Sequence, residues 1–206
     1  ALNLIPPNRL PRAVMDYEWK RIAENPKVDI RFNTAVYDYK SLLQQGFAAV
    51  IVAVGEQKSR TLGIEGENLA VDYTDYLKRS EQFVVNGNVA VVGGGAVAVD
   101  CATTAKQQGA KHLEMFVRRQ LSDMRITAAE RQSLLEKAVD ITTMTRVTKV
   151  IREQDTLTLY TTKTQFNEDG RLVDITGTEI PRRGFDLMIL ALGSTRGEEM
   201  TLADNI

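Results

Sequence analysis

The residues best suited to chemistry lie in one stretch, Val89 to Asp100, which reads VAVVGGGAVAVD. Small and β-favouring apolar residues run directly into Gly93, Gly94 and Gly95. A helix-compatible segment from Ala96 to Gln108 follows and ends at Gly109. Strand, tight turn and helix come in that order, with a G-x-G-x-x-A spacing at Gly93, Gly95 and Ala98. Such a unit suits the pyrophosphate of a dinucleotide. Gly93 permits the turn, Gly95 leaves room for close approach of phosphate, and Ala98 lets the helix pack near its strand. Backbone N–H groups and the positive end of the helix dipole then face the anion. Glycine turns also join strands to helices for purely structural reasons, but a strand before and a helix after favour binding.

A second strand is expected at Leu113–Val117, and Arg118-Arg119 stand at its carboxyl end. In this kind of unit an acidic residue near that place receives the ribose hydroxyls of NAD, whereas arginines suit the 2′-phosphate of NADP. Arg125 offers a third contact. The cofactor indicated is NADP(H), with NAD(H) as the alternative if the arginines form only a solvated strand end.

Other reactive side chains are few. His112 is the only histidine and reads as a surface residue. Cys101 is the only cysteine, and it stands where a small residue commonly packs a helix against a sheet. The helix start could make it a reactive thiol, which is the weaker reading. A single cysteine excludes an internal disulfide, a disulfide relay and any metal site built on several thiolates.

The elements that must position the glycine turn can be read around it. A helix is expected over residues 13–24, with Val14, Tyr17 and Ile22 on one side and Trp19 packed on a neighbour. Asn25-Pro26 stops it. Val28–Thr34 alternates like a strand, Tyr39–Gln45 suits a short helix, and the run Ala48–Val54 reads as a strand buried on both faces. Residues 56–70 form a turn-rich connection, and Asp72–Lys78 a short helix. Thr127-Ala-Ala-Glu130 is a capping box ahead of Leu134, Leu135 and Ala138, and a third strand lies near Ile141. Val147–Ile151, Thr156–Gln165 and Leu172–Ile175 suggest an antiparallel meander, turned at Asn167–Gly170, and Phe185–Leu192 a last buried strand closed by Gly193. The fold class is α/β, a Rossmann-type parallel sheet with a β-meander excursion.

Composition sets outer bounds. Of 206 residues, 43% are apolar and 26% charged, with 26 basic against 27 acidic side chains. A net charge of −1 gives no reason to expect nucleic acid as a partner, and no apolar run is long enough for a membrane span. A cytoplasmic location is expected. The opening ALNLIPPNRLPRAV lacks an initiator Met, and a core-type strand lies close to the end, so the chain reads as a domain excised from a longer protein.

Taken together, these motifs resemble the pyridine-nucleotide–flavin oxidoreductases of the glutamate synthase small-subunit type, including the amino-terminal half of dihydropyrimidine dehydrogenase. Ile5–Pro11 is similar to that family's IPxFRLP segment, AAVIVAVG to its DAVFLATG-like strand, and GGGAVAVDCA to its GGGDTAxDCx turn. VRRQLSDMR stands over the segment that binds the adenosine phosphate, and ALGS over the one beside the nicotinamide. The resemblance implies an incomplete FAD/NAD(P)-binding, disulfide-oxidoreductase-like fold. Residues 1–82 would be a partial FAD-domain segment and linker, 83–192 the NAD(P)H-binding domain, and 193–206 a return toward the FAD domain. It implies hydride transfer from NADPH to FAD, the FAD being held by the full-length parent, with electrons passing on to iron–sulfur clusters or a substrate-converting domain or subunit. Gly94, Gly95, Ala96 and Val97 would hold the pyrophosphate; Arg118, Arg119 and Arg125 the 2′-phosphate; Ala191, Leu192 and Gly193 would line the nicotinamide end. No acid or base is implied, and the chain by itself should bind without turning over. One departure stands out: Ala96-Val97 replaces the family's Asp-Thr, taking a carboxylate and a hydroxyl from the helix start. That departure is what a degenerate module with a structural or interaction role would show.

Overall fold

The computed structural model describes residues 4–56 and 58–195. These divide into two units, one of residues 7–56 and one of residues 4–6 with 58–195.

In the first unit α1 (Arg12–Ala23) starts at Pro11, and Lys20 and Arg21 complement the dipole in its last turn. The short α2 spans Lys40–Gln44. Val14, Tyr17 and Ile22 are exposed rather than forming a buried side, and Trp19 meets Phe32 in a tilted ring contact at 6.5 Å. Neither Val28–Thr34 nor Ala48–Val54 forms a strand, and Ile51 is 90% exposed. Alternation and apolarity say which side chains a strand would bury. The ladder itself needs a neighbouring strand, and none of the described residues of this unit lies in one.

The second unit carries β1 (Lys58–Ser59), β2 (Val71–Asp72), α3 (Tyr73–Lys78), β3 (Asn88–Val92), α4 (Ala96–Gln108), β4 (His112–Phe116), α5 (Ala128–Glu136) and β5 (Asp140–Thr142). Then come β6 (Thr145–Glu153), β7 (Thr156–Phe166), β8 (Leu172–Asp174), β9 (Ile180–Phe185), β10 (Leu187–Leu190) and β11 (Ser194–Thr195). The order β2-β10-β3-β4-β5 makes a five-stranded sheet whose pairs are all parallel. An antiparallel sheet of β6, β7, β8 and β9 covers one of its faces, and β1 pairs with β11.

Alternation along β3 and β4 sets the two faces. Val89, Val91, Leu113 and Met115 point to α4, which supplies Ala98, Val99, Cys101, Ala102 and Ala105. Ala90, Val92 and Phe116 point the other way, to Val147, Val150, Leu157 and Leu159 of the antiparallel sheet. The sheet is therefore buried on both faces, as its continuous apolar strands require. Thr127 and Glu130 form the expected capping box at α5, with Thr127 N–H donating to Glu130 Oε2 at 2.7 Å and Glu130 N–H to Thr127 Oγ1 at 3.2 Å. Of its expected apolar face only Leu134 is buried. Leu135 is exposed, and Ala138 ends the turn in the left-handed region at φ 50°.

The single last strand expected at Phe185–Leu192 is divided. Residues 180–185 pair antiparallel with β7; the chain then crosses at Asp186 and enters the parallel sheet as β10. Asp186 is tied at that corner: its N–H donates to Asn88 O at 2.8 Å, and its Oδ2 accepts from Asn88 N–H at 2.6 Å. Pro181 fits in β9 because β9 pairs on one side only, leaving the ring nitrogen without a ladder position to fill. No helix of the described residues is long and apolar enough to cross a membrane.

Candidate functional site

In an open parallel sheet the crevice lies beyond the carboxyl ends of the strands, where neighbouring strands lead off in opposite directions. Here that place is between β3, which leads through α4 to β4, and β10, which lies on its other side. Gly93 closes β3, its N–H donating to Phe116 O at 3.1 Å. Its φ is 148°, and a Cβ there would come within 2.2 Å of Ala191 O. A Cβ on Gly94 would come within 2.8 Å of Val117 Cγ1. Gly95 differs: its backbone is extended at φ −106°, and a Cβ would meet nothing within 4 Å among the described residues. Two glycines are thus demanded by the protein's own packing, while the third faces open space.

Gly95 is the N-cap of α4, so no side chain caps the helix, and its first turn carries no acidic residue. Its carbonyl accepts from Ala98 N–H at 2.9 Å and Val99 N–H at 3.2 Å. Ala98 is fully buried against the sheet, whereas Ala96 and Val97 are half-buried at the helix start. The first turn of a helix has N–H groups without intrahelical acceptors, and the dipole adds positive potential there. An anion fits this end.

Arg118 and Arg119 leave the end of β4 exposed, and so is Arg125. Among the described residues none of the three is held in an ion pair. The loop returns to the glycine turn, since Gly95 and Arg125 form a parallel β-bridge. Across the crevice, Ala191 N–H donates to Val92 O at 2.8 Å. Leu192 packs on the core shared with the antiparallel sheet. Gly193, at φ 82°, turns the chain and accepts from Arg60 N–H at 3.0 Å. The backbone therefore brings the glycine turn, Arg125 and Ala191 together, with Arg118 and Arg119 joined through Phe116.

Sequence reasoning missed two residues beside Gly193, Tyr73 and Arg60. The buried Tyr73 hydroxyl donates to Ser194 Oγ at 3.2 Å, and Arg60 Nε to Ser194 O at 3.2 Å. No local pattern announces them, because β2 meets β10, and β1 meets β11, only in the folded sheets. His112 is exposed at the opposite end of β4, 3.5 Å from Asp140. Cys101 is wholly buried, and burial, with the charges of Asp100 and Asp72, pushes its thiol pKa up. A reactive thiolate does not fit that environment.

Residues 9–199 match the family model described as pyridine nucleotide-disulphide oxidoreductase. The chain belongs to that family. Among relatives, it is 33% identical over 132 residues to the NADPH-Fe(3+) oxidoreductase subunit beta of Geobacter sulfurreducens, an alignment that takes in 58% of this chain and 19% of that protein. It is 31% identical over 145 residues to the NAD-dependent dihydropyrimidine dehydrogenase subunit PreT of Escherichia coli, covering 68% of this chain and 35% of that one. With the glutamate synthase [NADPH] small chain of Bacillus subtilis it shares 36% identity over 89 residues, 36% of this chain and 18% of that one. The chain thus spans about a fifth to a third of the length of these members of the family. Mycobacterium tuberculosis FprA in complex with NADPH has the same fold, with a TM-score of 0.63 at 18% identity over 92% of this chain and 60% of that one.

Proposed function

We propose that the chain is the NADP(H)-binding part of a flavin-dependent oxidoreductase, in which hydride passes from NADPH to FAD and electrons continue to iron–sulfur clusters or a partner subunit. One observation carries the assignment of the site: the Gly95–Arg125 bridge, which sets the arginine loop against the glycine of the turn that faces open space. In this reading the backbone N–H groups of Gly94, Gly95, Ala96 and Val97 hold the pyrophosphate. Ala96 and Val97 lend no side-chain donor, so the helix terminus supplies the anion's partners. Arg118, Arg119 and Arg125 hold the 2′-phosphate, where paired N–H donors of a guanidinium match phosphate oxygens. Ala191, Leu192 and Gly193 line the nicotinamide end.

When bound, the nicotinamide supplies a hydride that the flavin of the complete protein accepts. The residues of this chain contribute position rather than proton chemistry, since hydride transfer depends on distance and alignment. The cradle fits that role: Gly93 and Gly94 fix the turn by contacts that exclude any side chain, and Gly95 keeps the approach open. FAD is assigned to the parent; residues 1–82 would be a partial FAD-domain segment and linker, 83–192 the nucleotide-binding domain and 193–206 a return segment toward the FAD domain.

The name of PreT, an NAD-dependent relative, favours a second reading in which NADH is the donor. Calorimetric titration with NADPH and NADH, repeated on Arg118→Ala plus Arg119→Ala, separates the two. A preference for NADPH that disappears in the double variant supports the first reading. Equal binding that is indifferent to the arginines supports the second. Absence of binding to either nucleotide, in a folded chain, leaves two explanations: a degenerate module, or a site that needs the flavin domain.

A further inference from the structure

The arginine-bearing loop is not held by its own strand alone. Val117, Arg118 and Arg119 follow β4, and each of their carbonyl oxygens accepts a hydrogen bond from outside the loop. Thr145 N–H donates to Val117 O at 3.1 Å, and Met144 N–H donates to Arg119 O at 3.1 Å. The Thr164 hydroxyl, on β7, donates to Arg118 O at 2.7 Å. Thr164 N–H in turn donates to Met144 O at 2.9 Å. Thr164, Met144 and the arginine pair are thereby closed into one ring of hydrogen bonds, whose bonds go to the arginines rather than to the glycine turn.

Two features mark the ring as tightly set. Thr164 is only 3% exposed, although its hydroxyl reaches the backbone of an exposed residue. Met144 adopts the left-handed region at φ 49°, a conformation that a residue other than glycine keeps only where its surroundings hold it. That conformation directs its N–H to Arg119 O. The antiparallel sheet supplies Thr164, on β7, and the bend between β5 and β6 supplies Met144.

We propose that Thr164 and Met144 are positioning residues for cofactor choice, fixing the Arg118–Arg119 backbone so that the guanidinium groups converge on the 2′-phosphate of NADP(H). This rests on the reading of the arginines given under Proposed function. An arginine whose backbone is already anchored has less freedom to lose when it engages phosphate. Loss of the Thr164 hydroxyl therefore weakens NADPH about three- to tenfold, the range of one neutral hydrogen bond. NADH, which has no 2′-phosphate, is unaffected.

The test is titration of the wild-type chain, Thr164→Val and Thr164→Ser with NADPH and NADH. Valine keeps the branching and volume of threonine and removes the hydroxyl; serine keeps the hydroxyl. The expected result is a lowered NADPH-to-NADH affinity ratio in Thr164→Val and a wild-type ratio in Thr164→Ser. Thr164→Ala gives the same comparison where valine is not accommodated. A wild-type preference for NADPH that the hydroxyl-free variants leave unchanged overturns this proposal alone, as does an equal loss for both nucleotides. A wild-type chain with no preference removes the reading of the arginines, and this proposal with it.

Discussion

Gly93 lies against the backbone of Ala191 so closely that a methyl group on its Cα would sit 2.2 Å from the Ala191 carbonyl oxygen. This contact joins the glycine turn after β3 to the chain leaving β10, and it is made between backbones that cannot yield separately. Gly93→Ala should therefore unfold the protein more easily, by about 2–4 kcal/mol, because it adds a backbone clash to a φ that L-residues rarely adopt. Gly95→Ala provides the contrast. Its φ of −106° suits any residue and its Cβ would enter open space, so stability should change by less than about 0.5 kcal/mol. The same methyl stands where phosphate must approach, and NADPH affinity should fall about 10–100-fold, the range of a lost charge-assisted hydrogen bond. Urea unfolding and calorimetry on both variants check this. Undiminished binding by a stable Gly95→Ala would remove the cradle from the proposed site.

Arg118 and Arg119 are exposed, so their removal should leave folding nearly unchanged while altering nucleotide selection. The double alanine variant should lose about 10–100-fold in NADPH affinity and little in NADH affinity. The wild-type preference should also weaken as salt is raised, because exposed charges are screened. Affinities measured at low and high ionic strength test both statements. A preference that survives both the double variant and high salt would move the selection elsewhere.

The legible parts of the fold were those with a local cause. The glycines that bound α4, the Thr127–Glu130 box that starts α5 and the Asn167–Gly170 turn each act within a few residues, and all appear where the sequence places them. Misplaced elements depended on distant partners. Ala48–Val54 has the composition of a buried strand without forming one, while residues 180–185, reading IPRRGF, form a strand that their proline, glycine and charges disguise. β9 exists because β7 presents a ladder to it, which no pattern within IPRRGF records. The glycine turn and its arginines were visible for the same local reason. Tyr73, Arg60, Met144 and Thr164 were not, since each reaches the crevice or its loops across a sheet.

Glu114 is a buried carboxylate in the middle of β4, at 2% exposure. Both of its oxygens accept from Arg182 Nη2 on β9, at 2.8 and 2.6 Å, and the Thr142 hydroxyl donates to it as well. The same guanidinium stands 5.7 Å from the centre of the Phe116 ring. The pair fastens the antiparallel sheet to the parallel one directly beneath the strand that carries the arginine loop. Arg182→Ala would leave a buried charge with a single hydroxyl partner, so it should cost about 3 kcal/mol in urea unfolding. Replacing both partners, Glu114→Leu with Arg182→Met, removes the charge along with its partner and should cost less than Arg182→Ala alone. A double change that costs as much as Arg182→Ala or more would mean that the stranded Glu114 charge is not what makes the single change costly.

Cys101 and Tyr76 make stability sensitive to alkali. Burial raises the Cys101 pKa well above its ordinary 9.0, with Asp100 and Asp72 acting in the same direction; burial, then Cys101, raises that of Tyr76 from 10.0. The Tyr76 hydroxyl also donates to Gln108 Oε1. In the unfolded chain both groups lose their protons near their ordinary values, whereas the native protein keeps them. Above pH 9 the unfolded state therefore binds fewer protons, and stability falls with rising pH by about 1.4 kcal/mol per unit for the thiol. The tyrosine adds a second such slope above pH 10. Below these values neither group contributes. Urea unfolding between pH 7 and 11 should show this decline, and Cys101→Ala should flatten the part that begins near pH 9 while leaving the part above pH 10. The native thiol should also resist a thiol reagent that labels it readily in denaturant. Rapid labelling of the native protein, or identical pH profiles for wild type and Cys101→Ala, would show that Cys101 reaches solvent and that its burial does not govern the alkaline limit.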